Sequence, residues 1–277
     1  MKSTSPISAD HLHFRYGLEP VINDISLTLQ AGEMLGVIGP NGSGKSTLLR
    51  LLSGVLTPER GDVLLHGKQL QTYTRRQLGQ QLAVVPQDTL IEFPFSVTEV
   101  VLMGRTPHLA GFAFESRRDL EIAKSAMERC GVQHLAQRSI HEISGGERQR
   151  VILARALAQE TEIFLLDEPG AFLDIRHEVE IYDLLHDLQR EGRSIVTVLH
   201  DLNLAALYCD RIVLLKEGRL ARLGPPAEVI TYDAITEVYE TEVYVDLNTV
   251  TGAVNVLPLS RKYRERLARS ADSTGAE

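Results

Sequence analysis

The stretch Gly39-Pro40-Asn41-Gly42-Ser43-Gly44-Lys45-Ser46-Thr47 constrains the fold of this chain more than any other part of the sequence. An apolar run, Met34 to Ile38, precedes the stretch, and a leucine-rich run, Leu48 to Leu52, follows it. Apolar runs on both sides of a glycine-rich turn predict a strand, a turn and then a helix. That junction is the structural context of a phosphate-binding loop, so we expect a nucleoside triphosphate to bind here.

Each residue type in this loop has a physical role in holding phosphate. Glycine lets the backbone approach an anion closely, because a Cβ would block the inward-facing N–H groups. The helix that follows adds the partial positive charge of its N-terminus. Lys45 supplies a cation for the β- and γ-phosphates, and the Ser46 hydroxyl is suited to bind the Mg²⁺ that bridges them. The expected nucleotide-binding residues of the loop are Gly39, Asn41, Gly42, Ser43, Gly44, Lys45, Ser46 and Thr47.

Composition excludes several classes of protein. With 37 acidic against 29 basic residues and a formal net charge of -8, a dedicated nucleic-acid surface is not expected. Apolar runs stay below the ~18 residues of a membrane span, and Met1 to Asp10 lacks the apolar core of a signal peptide. We therefore expect a cytoplasmic, soluble protein. The two cysteines, Cys130 and Cys209, lie far apart and are interpreted as reduced core thiols.

The order of periodic segments predicts an α/β fold. Residues 7 to 30 alternate apolar and polar positions, which predicts a small antiparallel sheet before the phosphate-binding loop. From Ser96 to Arg138 the apolar positions recur with helical spacing, for example at Leu120, Ala123 and Met127. We interpret residues of about 88 to 160 as an inserted helical subdomain.

Two adjacent carboxylates follow a third apolar run. Ile163 to Leu166 predicts a fully buried strand, and the strand ends on Asp167 and Glu168. Ligands of open α/β sheets bind at the carboxyl ends of the strands. We expect Asp167 to hold Mg²⁺ through its hydration shell and Glu168 to orient and deprotonate the attacking water.

Two further polar residues end predicted strands. Ile195 to Leu199 is followed by His200, which we expect at the same sheet edge and able to hydrogen-bond a γ-phosphate. Gln87 follows Leu82-Ala83-Val84-Val85-Pro86, a strand that stops at proline, and its amide is placed to contact the Mg²⁺ shell or the attacking water. By itself, a glutamine at a strand end is more often a surface residue.

Two other features have both a structural and a functional interpretation. Ser144-Gly145-Gly146-Glu147 precedes a predicted helix, Arg150 to Ala158, and combines a serine cap with bare backbone N–H groups. This is either an ordinary helix cap or a second anion-binding helix start. Tyr16 offers a flat ring that could stack on adenine, or it is simply a strand tyrosine.

The order of these motifs resembles the nucleotide-binding subunit of ATP-binding cassette (ABC) transporters over about residues 7 to 225. The resemblance implies a P-loop NTPase fold with a RecA-like core, an antiparallel β subdomain and the helical subdomain. It also implies two copies facing head to tail, each ATP lying between the phosphate-binding loop of one copy and the signature loop of the other. The roles it implies are adenine stacking for Tyr16, γ-phosphate sensing for Gln87, the signature loop for Ser144, Gly145, Gly146 and Glu147, the catalytic glutamate for Glu168, a dimer contact for Asp174 and the switch histidine for His200. The chain departs from the family at Glu147, where glutamine is commoner, and at Gly170-Ala171-Phe172.

A finer resemblance is to the importers of iron chelates, which move ferric siderophores, haem or cobalamin. It rests on Val101 to His108, on His200-Asp201-Leu202-Asn203 followed by Tyr208-Cys209-Asp210, and on the tail from Val238 to Leu259. The resemblance implies a multi-span permease dimer as partner, an extracytoplasmic substrate-binding protein, and a location on the cytoplasmic face of the membrane. We divide the chain into a nucleotide-binding domain, 1–230, and an extension, 231–277, with short strands and a basic, partly disordered tail.

Two alternatives remain open at this point. One is an ABC importer ATPase for another substrate, such as molybdate or an amino acid. The other is a soluble ABC ATPase that acts on ribosomes or DNA; such proteins usually carry two cassettes or a long coiled coil, and this chain has neither.

Overall fold

The fold is built on a mostly parallel sheet and an antiparallel sheet, with a separate hairpin near the end of the described chain. The computed structural model describes residues 5–87, 91–109, 114–171 and 173–263. The strands are β1 (Ile7–Tyr16), β2 (Glu19–Leu29), β3 (Met34–Ile38), β4 (Arg60–Leu65), β5 (Lys68–Gln69), β6 (Leu82–Val85), β7 (Ile163–Asp167), β8 (Ser194–Val198), β9 (Arg211–Lys216), β10 (Arg219–Gly224), β11 (Val243–Leu247) and β12 (Val254–Pro258). The helices are α1 (Lys45–Leu52), α2 (Arg75–Gln81), α3 (Val97–Leu102), α4 (Arg117–Arg129), α5 (Gly145–Ala158), α6 (Ile175–Arg190), α7 (Leu202–Tyr208), α8 (Pro226–Val229) and α9 (Tyr232–Tyr239).

The mostly parallel sheet has the strand order β10-β9-β3-β8-β7-β6. Every residue of β3, β7 and β8 is buried, which explains why these strands appear in the sequence as continuous apolar runs. All neighbouring pairs from β9 to β6 are parallel, and β10 adds an antiparallel edge. The carboxyl ends of β3, β6, β7 and β8 therefore lie along one edge, and the predicted P-loop α/β core is confirmed.

The antiparallel sheet has the order β2-β1-β4-β5 and packs over the phosphate-binding loop's helix, α1. Its first two strands form a hairpin in which Tyr16 pairs with Glu19. Inward residues such as Leu12 and Ile25 are fully buried, while their neighbours face solvent. The small antiparallel sheet predicted from the alternation at residues 7 to 30 is confirmed.

Helices α3, α4 and α5 lie between β6 and β7 and pack on one another. Ala123 and Met127 are buried as the helical periodicity predicts, but Leu120 is exposed. In the first turn of α4 the inward position belongs instead to Asp119, which pairs with buried Arg105. A charged pair thus replaces an apolar contact at this point, and the apolar pattern alone does not reveal it.

Both cysteines are free and buried, as predicted. Burial raises the pKa of the Cys130 thiol to about 12, so the thiol is protonated at neutral pH and behaves as a small apolar side chain. None of the helices in the described segments has the length and hydropathy needed to cross a bilayer.

The segment after β10 contains α8, α9 and the hairpin β11–β12. The short strands predicted in the tail are therefore present, with Val243, Val254 and Val256 packed on the main core. The basic run that begins at Arg261 continues into residues 264–277, which lie outside the described part of the chain.

Candidate functional site

The phosphate-binding loop occupies the turn between β3 and α1, as the sequence predicts. Gly44 precedes α1 in the left-handed region, with φ 98°. A Cβ on Gly39 would clash with the backbone oxygen of Leu215, so a side chain is excluded there by the neighbouring strand β9. Backbone N–H groups of the loop can consequently turn toward a ligand without steric obstruction.

A cleft of about 390 Å³ opens at this loop. The residues that line it are Val21, Asn41, Gly42, Gly44, Lys45, Ser46, Thr47, Gln87, Glu168 and His200. They come from β2, from the loop and α1, and from the segments after β6, β7 and β8. The shared edge of parallel strands thus brings together residues that are far apart in the sequence.

Lys45 is buried beneath the loop and closes it on itself. Its Nζ donates hydrogen bonds to the backbone oxygens of Gly39 at 2.8 Å and Pro40 at 3.2 Å. Burial lowers the pKa of Lys45, while the nearby carboxylates of Glu168 and Asp167 oppose that shift. A cation held in this position is suited to meet the terminal phosphates of a nucleotide.

Ser46, which lines the cleft, is hydrogen-bonded to the buried carboxylate of Asp167. The Ser46 hydroxyl donates to Asp167 Oδ1 at 3.1 Å, and Asp167 is 5% exposed. Burial raises the pKa of Asp167, and the hydrogen bond from Ser46 lowers it in part. Among the described residues no cluster of three or more His, Cys, Asp or Glu could hold a metal by itself. One hydroxyl and one carboxylate fit Mg²⁺, which completes its shell with phosphate oxygens and water.

Glu168 is the meeting point of three chain segments. Its Oε2 accepts a hydrogen bond from Gln87 Nε2 at 2.7 Å, and its Oε1 lies 2.5 Å from His200 Nε2. The glutamate is 8% exposed, and its backbone has φ 52°, an uncommon value for a residue with a side chain. Strained backbone at a strand end is typical of functional sites, and here it directs the carboxylate into the cleft.

Tyr16 lies near the loop but does not line this cleft. Its ring packs edge to face on Phe14, with centroids 4.9 Å apart, and the side chain is 46% exposed. The Tyr16 hydroxyl accepts a hydrogen bond from Arg50 of α1 at 3.4 Å. The ring is thus available for stacking and is attached to the helix that carries the loop.

The Ser144 segment lies away from the cleft, at the N-terminus of α5. The predicted serine cap is confirmed: Ser144 Oγ accepts from the Glu147 N–H at 3.3 Å, and Glu147 Oε2 accepts from the Ser144 N–H at 2.8 Å. This reciprocal capping box starts the helix at Gly145, five residues before the predicted start at Arg150. The bare N–H groups of Gly145 and Gly146 belong to the first turn of this helix.

Asp174 caps the next helix, α6, by accepting a hydrogen bond from the His177 N–H at 2.9 Å. Of the departing segment Gly170-Ala171-Phe172, the third residue lies outside the described part of the chain.

Some residues of the site could not be identified from the sequence alone. Val21 lines the cleft from β2, and the Gly218 N–H donates to the backbone oxygen of Ser43 at 3.1 Å. Both contacts join segments from different sheets or distant strands. The sequence pattern of one segment carries no information about such pairing. Covarying positions in an alignment of related chains would be the signal that identifies these contacts.

Comparisons with known proteins agree with these features. A family model described as ABC transporter matches residues 22–171. Relatives include the hemin import ATP-binding protein HmuV of Thermobifida fusca, 43% identical over 92% of this chain and 89% of that protein. The cobalamin import ATP-binding protein BtuD of Halobacterium salinarum is 41% identical over 92% of this chain, which spans 63% of the length of that relative. Among solved structures, a metal-chelate type ABC transporter in an inward-facing conformation is 29% identical, with a TM-score of 0.82 over 94% of this chain and 99% of that one.

Proposed function

Because this chain belongs to the ABC transporter family, we propose that it is the ATP-hydrolysing subunit of an importer for an iron chelate or cobalamin. The main support for ATP hydrolysis is the position of Glu168. Its carboxylate borders the phosphate-binding loop and contacts both Gln87 and His200. A buried carboxylate at this place is suited to act as a general base on water. The relatives named for hemin and cobalamin import support the substrate class.

In the proposed reaction the loop binds the phosphates of ATP and Lys45 meets the β- and γ-phosphates. Ser46 and Asp167, with Gln87 beside them, would hold Mg²⁺, which supplies charge neutralisation across those phosphates. One of the two present contacts of Glu168 gives way to the attacking water. Glu168 takes a proton from that water as its oxygen bonds to the γ-phosphorus, while the bond from the γ-phosphorus to the bridging oxygen of ADP breaks. His200 then stabilises the γ-phosphate, and Tyr16 stacks on the adenine.

A second copy of the chain completes the proposed site. The N-terminus of α5 has the chemistry of an anion site, yet it does not line the cleft formed by the phosphate-binding loop in the same chain. In a head-to-tail dimer, Ser144, Gly145, Gly146 and Glu147 of one copy meet the γ-phosphate bound by the other. Asp174, the N-cap residue of α6, contributes to that interface.

We place the dimer on the cytoplasmic face of the membrane, bound to a multi-span permease dimer that receives its substrate from an extracytoplasmic binding protein. The transported class is ferric siderophore, haem or cobalamin. The exposed residues of the segment 91–108, which follows Gln87, form the surface proposed to contact the permease; Phe93 in this segment is 65% exposed.

The test combines purification and reconstitution. Tagged Glu168→Gln protein is isolated with ATP from detergent-solubilised native membranes, and its partners are identified by mass spectrometry. A multi-span permease among them supports import. The wild-type complex is then placed in liposomes, where haem, a ferric siderophore and cobalamin, each with the binding protein, are compared for stimulation of phosphate release.

Other outcomes reject parts of the proposal. Recovery of ribosomal or DNA-repair proteins without a membrane partner would remove the transport function and leave the ATPase. Molybdate and an amino acid are tested in the same liposomes, and stimulation by one of these but by none of the three chelates would replace the substrate class.

A further inference from the structure

The two sequence features that suggested a chelate importer, the His200-Asp201-Leu202-Asn203 motif and the C-terminal tail, contact each other directly. Asn203 Nδ2 donates to the backbone oxygen of Val256 at 3.3 Å, and the Val256 N–H donates to Asn203 Oδ1 at 2.7 Å. The side-chain amide of Asn203 therefore pairs with the backbone of β12 as another strand would. The contact joins residues separated by 53 positions in the chain.

The pairing in the β11–β12 hairpin explains why Val256 is available for this contact. Backbone hydrogen bonds join Asn248 to Ala253 at one end of the hairpin and Leu259 to Glu242 at the other. Hydrogen-bonded and non-hydrogen-bonded pairs alternate along an antiparallel ladder, so Val256 falls at a non-hydrogen-bonded position. Its N–H and C=O point out from the edge of the hairpin, and the Asn203 side chain forms hydrogen bonds with both.

Asn203 is only three residues from His200. Asp201, between them, caps α7 by accepting hydrogen bonds from the N–H groups of Asn203 at 2.7 Å and Leu204 at 3.1 Å. The segment from His200 to Asn203 is thus fixed on one side by a helix cap and on the other by the hairpin. The imidazole of His200, which contacts Glu168, extends from the end of this braced segment.

The opposite end of α7 is also anchored. Tyr208 donates its hydroxyl hydrogen bond to Asp183 at 2.8 Å and stacks on Tyr182 with centroids 5.4 Å apart. Asp210 accepts from the Met34 N–H at 2.8 Å, which ties the segment to β3. The C-terminal extension therefore completes the support of a helix that the core holds firmly at its other end.

A second contact joins the extension to the nucleotide site. Burial raises the pKa of the Tyr239 hydroxyl in α9 to about 12, and the neighbouring backbone of Gly39, the first residue of the phosphate-binding loop, lowers it in part. Lys216 Nζ donates to the backbone oxygen of Glu237 at 2.7 Å, which holds α9 against β9. The extension thus packs against both the loop and the segment that carries His200.

We propose that Asn203 is a positioning residue, which uses the β11–β12 hairpin as a fixed support to hold His200 in register with Glu168. This inference rests on the proposed ATPase function and adds to it a role for the C-terminal extension. The two hydrogen bonds between Asn203 and Val256 are called the brace below. Loss of the brace should leave the phosphate-binding loop intact and make His200 more mobile. The effect should therefore fall on turnover and not on nucleotide binding.

The experiment measures steady-state ATP hydrolysis by the purified full-length chain. Asn203→Ala is expected to lower kcat by about ten-fold with less than a two-fold change in KM for ATP. Val256→Pro removes the N–H that Asn203 accepts without removing a hairpin bond, and it should lower kcat similarly. Since the two changes break one contact, the double variant should be no slower than the slower single variant.

Asn255→Ala is the matched control. It truncates the asparagine beside Val256 on the other face of the strand, so its kcat should equal that of the wild type. Thermal unfolding of every variant is recorded in parallel.

The outcomes separate the two proposals. If the wild type hydrolyses ATP no faster than Glu168→Gln, the proposed function fails. If the wild type is active and Asn203→Ala matches it in kcat, the brace alone is rejected. The brace is also rejected if Asn203→Ala loses ATP affinity and thermal stability together with kcat, because that pattern indicates general unfolding.

Discussion

His200 reaches across from the end of β8 to Glu168 at the end of β7, with Nε2 2.5 Å from Oε1 of the carboxylate. The other carboxylate oxygen accepts the hydrogen bond from Gln87. Both oxygens of the proposed base are therefore engaged by residues from neighbouring strands. A water that approaches the carboxylate must exchange with one of these two contacts, which couples activation of the base to movement of Gln87 or His200.

Glu168→Gln should abolish the base and preserve the binding site. Glutamine has nearly the same shape and still offers an oxygen to Gln87, but it does not accept a proton from water. We expect turnover to fall by about 10² or more, with ATP affinity unchanged. Phosphate release and equilibrium binding of a fluorescent ATP analogue measure the two quantities. Near-normal turnover would remove Glu168 from its role; Glu162→Gln, at an exposed carboxylate, is the matched control.

Lys45→Ala should abolish nucleotide binding, because the loop loses the cation that we propose to contact the terminal phosphates. The ammonium also ties Gly39 and Pro40 together, so the empty loop loses order as well. Titration with ATP by calorimetry measures the change. Lys68→Ala, at an exposed strand lysine, should bind as the wild type does. An unchanged ATP affinity for Lys45→Ala would contradict the assignment of the loop.

The sequence predicts those parts of the site that belong to a local pattern of consecutive residues. Lys45 belongs to a local glycine-rich pattern, while Asp167 and His200 each follow an apolar run that had to be a buried strand. Parallel strands place their carboxyl ends at one edge, so the meeting of these residues follows from topology. The fold class follows for the same reason.

Contacts between distant segments did not follow from the sequence. Val21 enters the cleft from another sheet, and Asn203 contacts Val256 although the two residues belong to separate parts of the sequence. Both depend on strand register and packing, which short periodic patterns do not encode. Leu120 shows the converse error: its apolar character fitted the helix, but the charged pair of Asp119 and Arg105 took the inward position.

Asp167→Asn should stabilise the protein in the absence of ligand. Burial raises the pKa of Asp167, so the folded protein binds this proton more readily than the unfolded chain does. The charged carboxylate therefore costs stability at neutral pH, and the cost disappears as the pH falls through the raised pKa. Asparagine keeps an acceptor for Ser46 and carries no charge. We expect a melting temperature about 2 °C higher at pH 7, with the gain shrinking toward about pH 4.

The same variant should need more Mg²⁺ to bind ATP, because the oxygen ligand that we propose at Asp167 has lost its charge. Calorimetric unfolding across pH and ATP binding at varied Mg²⁺ test the two effects. Asp174→Asn is the control: the His177 backbone N–H holds the pKa of Asp174 below its usual value, so removal of that charge should bring no gain. A lower melting temperature for Asp167→Asn at pH 7 would contradict the argument.

Glu147→Gln should strengthen ATP-dependent dimerisation. Hydrogen bonds from the Ser144 backbone and hydroxyl lower the pKa of Glu147, so this carboxylate is charged at neutral pH. It lies in the first turn of α5, where we propose that the partner's γ-phosphate binds, and like charges repel there. Glutamine retains the capping box and removes the charge. The dimer dissociation constant should fall on the order of ten-fold, since the change occurs at both symmetric sites.

Sedimentation of the Glu168→Gln protein with ATP, with and without Glu147→Gln, measures this constant. Glu142→Gln is the matched control, because Glu142 also accepts a hydrogen bond from a serine N–H but lies before the helix start. An equal or weaker dimer for Glu147→Gln would show that the carboxylate does not oppose the phosphate.

Asp119→Ala tests the buried charged pair that replaced an apolar contact in the helical segment. Arg105 donates to Asp119 Oδ1 at 2.8 Å and also to the backbone oxygen of Ala158 at 2.7 Å and to Glu160 at 2.8 Å. Loss of the Asp119 side chain removes one carboxylate that balances the charge of the buried Arg105 guanidinium. It also removes the acceptor of the Ser116 backbone N–H in the capping box. We expect a loss of about 2 kcal/mol in the free energy of unfolding, measured by urea denaturation.

The pH dependence of that loss identifies its cause. Hydrogen bonds from Ser116 and Arg105 hold the pKa of Asp119 far below its usual value, so its contribution is complete above the unfolded pKa of about 4. The contribution of Asp119 to stability declines as the pH falls toward the lowered pKa of the folded state. The difference in free energy of unfolding between the wild type and Asp119→Ala should therefore narrow below about pH 4. Glu160→Ala removes a more exposed partner of the same arginine and should cost less than about 1 kcal/mol. Equal losses for the two variants would mean that Arg105 does not depend on Asp119 for its compensation.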